Sequence, residues 1–223
     1  MSEYDSEPVR GLPERLPAGE ILLWQGKPTW QALALRTFHV RKIALYLGAL
    51  VVWRVASGLY DGVSPSGVAA SLLMPLPLLL AAVGIPALLA WLYSRTTVFT
   101  ITNRRVVMRY GVALPWCLNL PYRSVKSASF VTHRDGTADI PLSLSGTGRV
   151  AYLHLWPYAR PWMINHPEPM LRGVPDGVAV ARILAQALKA HSETSPDGAV
   201  ALPLPPQADS DNSLQPAAAA AAA

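Results

Sequence analysis

Catalysis or metal binding in this chain of 223 residues would have to rest on five histidines, one cysteine and a few carboxylates. His39, His133, His154, His166 and His191 each lack a second His, Cys or carboxylate at metal-ligand spacing, so a zinc site has weak support. Serines are plentiful, but none sits in the GxSxG elbow that exposes a nucleophile at a strand-to-helix turn. No glycine-rich loop of the GxxxxGK[ST] or GxGxxG type is present to cradle a phosphate. The carboxylates that follow residue 95 in the ordered part are Asp135, Asp139, Glu168 and Asp176, and three of them fall in turns or at a helix start. The residues therefore point to no catalytic, cofactor or metal site, and the chain is expected not to be an enzyme.

Binding chemistry has better candidates. The segment WPYARPWMINHPEP combines Trp156, Tyr158, Arg160 and Trp162 with four prolines. Large rigid rings beside an arginine are the residue types that dominate protein interfaces. The same rings would equally well cover the open end of a small barrel, and composition does not separate the two. Arg54 and Asp61 form a second candidate. Arg54 is the one charge between Ile43 and Tyr60, and Asp61 follows seven residues later, on the same face if the helix continues. An ionisable group in an apolar stretch either pairs or reaches for the interface, and its depth favours the second.

These residues are carried by an uneven chain. Hydrophobic residues make up 51% and charged residues 15%, well under the roughly 25% charged of a soluble domain. The deficit is concentrated in Ile43–Tyr60 and Val68–Tyr93, each near the ~20 apolar residues that cross a bilayer. Gly, Ser and Pro between them predict a tight reversal, and hence a helical hairpin of two transmembrane helices. Pro75, Pro77 and Pro86 predict a kinked second helix. Small residues around Gly84 are compatible with close helix packing and self-association, although Gly84 itself is not part of a GxxxG. Arg36, Arg41 and Lys42 precede the pair and Arg95, Arg104, Arg105 and Arg109 follow it, whereas the reversal carries only Asp61. Positive charge collects on the cytoplasmic side, which predicts cytoplasmic termini and an external loop.

Residues 1–42 read as a cytoplasmic approach, with an amphipathic helix from Trp30 to about Lys42 capped by Thr29, or alternatively the first span extended inward. Residues 43–94 are the hairpin. Residues 95–191 carry twelve basic and four acidic groups and change to strand periodicity. TTVFTIT and RVVMRYG alternate around Asn103-Arg104 as a hairpin. Further strands are expected at Arg123–Val131, Leu142–Leu144 and Val150–Trp156, with a turn at Asp135-Gly136. From Asp176 the period is helical, with Val180, Leu184 and Leu188 inward and Arg182, Gln186 and Lys189 outward. Residues 192–223 are a Ser-, Asp-, Pro- and Ala-rich tail with little to bury, expected to be disordered. The expected fold is thus a membrane hairpin plus an α+β module, a small barrel or sandwich capped by its C-terminal helix. The dispersed arginines favour an anionic lipid surface over nucleic acid as partner.

Two resemblances follow from these residues. The stretch from Thr96 to about Leu188 resembles bacterial pleckstrin-homology-like domains, through the Thr102-Asn103-Arg104-Arg105 hairpin, Gly111 after the second strand, and the Leu120–Val125 entry to the next. Over residues 10–190 the chain resembles the PuhB family of photosynthetic complex assembly proteins of purple bacteria. The residues concerned are LPAGEILLWQGKPTWQALALRTFHVRK, the two spans, the TNRR region and the aromatic-proline loop. That resemblance implies a non-enzymatic factor for reaction-centre assembly, with an effect on the core light-harvesting antenna, in the inner or intracytoplasmic membrane. It implies reaction-centre subunits, and core antenna polypeptides, as partners. Pigment binding is not expected, since neither span contains His and only His39 lies near the bilayer. Competing classes are a membrane-tethered pleckstrin-like protein of lipid or envelope homeostasis, and a membrane enzyme using Arg54 and Asp61.

Overall fold

The computed structural model describes residues 16–145 and 151–194. Most of the expected tail, and Val150 of an expected strand, lie outside the described residues. The order begins with β1 (Leu22–Gly26), α1 (Trp30–Ala32) running into a π turn (Leu33–Thr37), and α2 (Val40–Tyr60). It continues through α3 (Pro65–Leu73) and α4 (Leu76–Thr96) to β2 (Val98–Thr102), β3 (Arg105–Tyr110) and β4 (Trp116–Pro121). Then come β5 (Val125–Ala128), β6 (Val131–Thr132), β7 (Ala138–Leu144), α5 (Tyr152–Leu155), β8 (Met170–Val174) and α6 (Gly177–Thr194).

α2 and α4 are each 21 residues, about 31 Å at 1.5 Å per residue, and are long and apolar enough to cross a membrane. The second apolar stretch is not one kinked helix. It breaks at Met74-Pro75, because proline has no N–H to donate and clashes with the preceding turn. Pro77 is tolerated in the first turn of α4, where donors are unpaired anyway, and Pro86 sits inside α4 without ending it. α3 starts on Ser64, whose Oγ accepts from the Gly67 N–H at 3.2 Å, with Pro65 as its first residue. α3 turns back onto the far end of α2, where Gly58 meets Val68 so closely that a Cβ would lie 2.9 Å from a Val68 methyl. The close approach is therefore at Gly58, whereas Gly84 has open space beside it.

The amphipathic helix expected from Trp30 to Lys42 is interrupted. After the π turn, His39 adopts a left-handed conformation (φ 55°) and α2 starts afresh at Val40. The His39 Nδ1 lies 3.2 Å from the Thr37 carbonyl, a local contact at the helix start.

Two antiparallel sheets make up the module. One has the order β1-β2-β3-β4; in the other β7 pairs with β5, β6 and β8. The expected β2–β3 hairpin forms around Asn103-Arg104, with Phe99 opposite Met108 and Ile101 opposite Val106. The expected strand at Arg123–Val131 is divided: Tyr122–Ser124 is a single 3-10 turn, and β5 and β6 pair with successive stretches of β7. β1 comes from the segment read as a cytoplasmic approach, with no strand expected there, so residues 22–26 complete the first sheet. Gly111 is needed as such: its φ is 123°, and a Cβ there would collide with the Leu114 carbonyl oxygen.

The core lies between the sheets and α6. Phe99, Ile101, Met108, Ile140, Leu142 and Leu171 meet Val180, Leu184 and Leu188 of α6, and all are buried. Arg182, Gln186 and Lys189 point outward as the period predicts. Asp176 begins α6 through its backbone, its carbonyl accepting from the Ala179 and Val180 N–H groups.

One buried carboxylate fastens the N-terminal segment. The Glu20 side chain accepts from Arg105 Nε at 2.7 Å and Nη2 at 2.9 Å, and from the Thr102 hydroxyl at 2.8 Å. Burial by itself raises the Glu20 carboxyl, but the Arg105 and Thr102 hydrogen bonds and the neighbouring arginine charges outweigh it and hold the group below its ordinary value. A depressed carboxylate contributes stability that is present above the unfolded value, about 4.3, and is lost as pH falls through the lower folded value. Unfolding followed by circular dichroism between pH 7 and pH 2.5 should show this loss below about pH 4.3. Glu20→Gln should be less stable at pH 7 by about 1–3 kcal/mol and should show a shallower acid limb.

Candidate functional site

The aromatic-proline loop begins where the module meets the two long helices. α5, expected as part of a strand, is a single helical turn in which the Trp156 N–H donates to the Tyr152 carbonyl at 3.1 Å. Pro157 cannot continue it. Its alternating sequence predicts a strand, but Leu155 is wholly buried and the Tyr110 hydroxyl donates to the His154 carbonyl at 3.0 Å. The His154 ring packs edge-on against Trp116 at 4.9 Å, a structural role.

Trp156 stands edge-on to Phe38, at 5.4 Å between ring centres, and to Tyr93, at 5.9 Å. It thereby joins the loop to the residue two before α2 and to the last turn of α4. Tyr158, named above as a candidate interface residue, is wholly buried. Its ring lies between Phe99 (5.3 Å) and Tyr110 (5.5 Å), and its hydroxyl is 2.6 Å from the Thr97 hydroxyl, directly after α4. Burial pushes the phenol far above its ordinary range, so it is a neutral hydrogen-bonding group at all working pH. For Tyr158 the barrel-covering reading is the one realised.

Arg160 pairs with Glu168 at 2.7 Å, and the Arg160 N–H donates to the Glu168 carbonyl at 2.9 Å, closing the base of the loop. Beyond that clasp the chain is exposed. Trp162 is 93% accessible, with Met163 and Ile164 also exposed. The four candidates thus divide into anchors (Trp156 and Tyr158), a clasp (Arg160) and a bare apolar tip (Trp162).

The residue that organises the junction is Arg172, which sequence reasoning missed. It is 7% exposed, in the wholly buried strand β8. Its guanidinium donates to the Thr37 hydroxyl at 3.0 Å and to the Pro157 and Ala159 carbonyls at 3.1 and 3.3 Å. The strongest compensating charge is that of Asp139, whose carboxylate accepts from the Gly173 N–H at 2.7 Å and pairs with His133 at 3.0 Å. A second tie joins the π turn to the β6–β7 turn, where Arg36 meets Asp135 at 3.2 Å. The one available signal for Arg172 was an arginine set in an otherwise uncharged Met-Leu-Arg-Gly-Val run.

Arg54 and Asp61 are not brought together, and among the described residues no ion pair joins them. Asp61 lies just beyond the end of α2, and an Arg54 guanidinium nitrogen sits 3.4 Å from where a Cβ of Gly58 would be. The head group thus reaches one turn along α2 toward its C-terminal end.

The division of the loop is testable by equilibrium unfolding of the purified protein. Tyr158→Phe should cost about 1–3 kcal/mol, because the Thr97 hydroxyl is left buried without its partner. Trp162→Ala should stay within about 0.5 kcal/mol of the parent, as exposed substitutions do.

Comparison with known proteins bears on this arrangement. A profile of the bacterial PH domain family (bPH_2) matches residues 40–188, which include α2, α3 and α4 as well as the strands from β2 onward. A Rhodobacter capsulatus protein, described as an uncharacterized 23.7 kDa protein in the puhA 5′ region, is 38% identical over 191 residues, covering 84% of this chain and 88% of its own. A crystal structure of a DUF1696 family protein with a pleckstrin-homology domain, from Shewanella loihica PV-4, aligns at 16% identity with a TM-score of 0.29, covering 41% of this chain and 70% of the other. By the match over residues 40–188, this chain belongs to the bacterial PH domain family.

Proposed function

We propose that this protein is a non-enzymatic assembly factor of the PuhB kind, acting on the photosynthetic reaction centre and, through it, on the core antenna. The observation that carries the reading is the 38% identity, along most of both chains, to a Rhodobacter capsulatus protein whose description sets it beside puhA. That position gives the relative a photosynthesis-related gene context. The junction geometry suits the role, because it supplies anchors and one exposed apolar tip.

In this reading α2 and α4 cross the inner or intracytoplasmic membrane. The flanking Arg36, Arg41, Lys42, Arg95 and Arg104 keep both termini in the cytoplasm, and the α2–α3 turn bearing Asp61 faces the other side. The spans meet newly inserted helices of the reaction centre within the bilayer. The Trp162–Ile164 tip, held out by the Arg160–Glu168 clasp, contacts a subunit at the cytoplasmic surface, where an exposed aromatic supplies area at small entropic cost. Release follows once the client helices pack together.

Deletion of the gene should lower the near-infrared bands of the reaction centre and core antenna in isolated membranes. Complementation with Trp162→Ala should restore them only partly while the protein accumulates normally. Unchanged bands in the deletion strain would favour a general role in lipid or envelope homeostasis instead.

A further inference from the structure

A cleft of about 480 Å³ opens between the segment leading into α1 and the last turn of α4, lined by Lys27, Thr29, Trp30, Trp91, Ser94 and Arg95 among others. Among the described residues its two formal charges are both positive and come from separate elements, and none of the lining residues is a carboxylate. Among the described residues neither Lys27 nor Arg95 is in an ion pair, in contrast to Arg36, Arg105 and Arg160. The Arg95 guanidinium lies 5.0 Å from the centre of the Trp91 ring, so its side chain runs along the wall of the cleft. Thr29 is fixed by its backbone and hydroxyl to the Gly173 carbonyl, at 2.9 and 3.2 Å. The floor is thereby tied to β8.

Depth identifies what such a cleft would hold. Arg95 is nineteen residues from the start of α4, about 28 Å at 1.5 Å per residue, close to the ~30 Å thickness of a hydrocarbon core. If α4 spans the bilayer, the two cations lie at the level of the lipid phosphates. Trp30 and Trp91, both partly exposed, then lie where indole rings prefer the interface. A soluble anion would need no aromatic frame, whereas a lipid presents a phosphate to the cations and its glycerol and upper chains to the rings. We infer that this cleft binds the headgroup phosphate of an anionic phospholipid of the cytoplasmic leaflet, between Lys27 and Arg95. The inference rests on the membrane-spanning reading of α4.

The test uses the full chain extracted from membranes in mild detergent, with retained lipid measured by native mass spectrometry during titration with phosphatidylglycerol or phosphatidylcholine. The parent protein should prefer phosphatidylglycerol by about fivefold or more, the scale expected of one basic side chain at a charged surface. The double substitution Lys27→Gln, Arg95→Gln should remove that preference, and the charge-matched Arg123→Gln, Lys126→Gln, on exposed positions outside the cleft, should keep it. Equal retention of both lipids by the parent overturns the inference, as does equal loss in both double variants. Inorganic phosphate that competes fully at millimolar concentration would make this a soluble-anion site and overturn the lipid assignment. Washing the membranes with alkaline carbonate separates the two premises. Release of the protein removes the spanning reading and the inference with it, whereas a retained protein without lipid preference removes the inference alone.

Discussion

A guanidinium buried at Arg172 holds this structure together where its two halves meet. It reaches Thr37, 135 residues away in sequence, and the carbonyls of Pro157 and Ala159. A buried charge is tolerable only when its donors are satisfied, and here the acceptors come from two separate pieces of the junction, the π turn and the aromatic loop. Thr37 closes the π turn before α2, whereas Pro157 and Ala159 flank Tyr158, which bonds to Thr97 just past α4. The entry to the first long helix, the exit from the second and the aromatic loop are thus fixed by one side chain and one phenol.

Features set by local pattern could be read from the residues. The β2–β3 hairpin, the Asp135-Gly136 turn and the inward face of α6 each follow from a period expressed within a dozen residues. The two apolar helices follow from composition rather than period, although the second starts at Leu76 and not at Val68 as expected. What escaped depends on distant partners. β1 has no clean alternation, and it is a strand because β2 offers an edge some seventy-five residues later. Glu20 looks like an ordinary surface acid until Arg105 and Thr102 close on it. The alternation in VAYLHLW was real, but the helical turn buries Leu155 and gives the His154 carbonyl to Tyr110.

The aromatic loop shows the same limit at the site itself. Trp156, Tyr158 and Trp162 are alike by type, yet one braces, one is core and one is bare. Sequence could nominate the loop, but only the clasp of Arg160 on Glu168 decides where the anchored part ends. The arginines divide in a similar way: Arg105 and Arg172 are spent inside the structure, whereas Arg95 is left at a cleft beside the long helices. A basic domain is therefore a smaller electrostatic surface than its composition suggests. The charge left at that cleft lies in the last turn of α4, nineteen residues from the start of the helix.

Whether the helices and the module are one body is best measured by amide hydrogen exchange on the parent and on Arg172→Leu, both reconstituted in lipid. Loss of the guanidinium should speed exchange together in residues 33–38 and 156–160, on both sides of the junction, while the core face of α6 stays protected. Faster exchange confined to β8, with the π turn and the loop unchanged, would contradict the account.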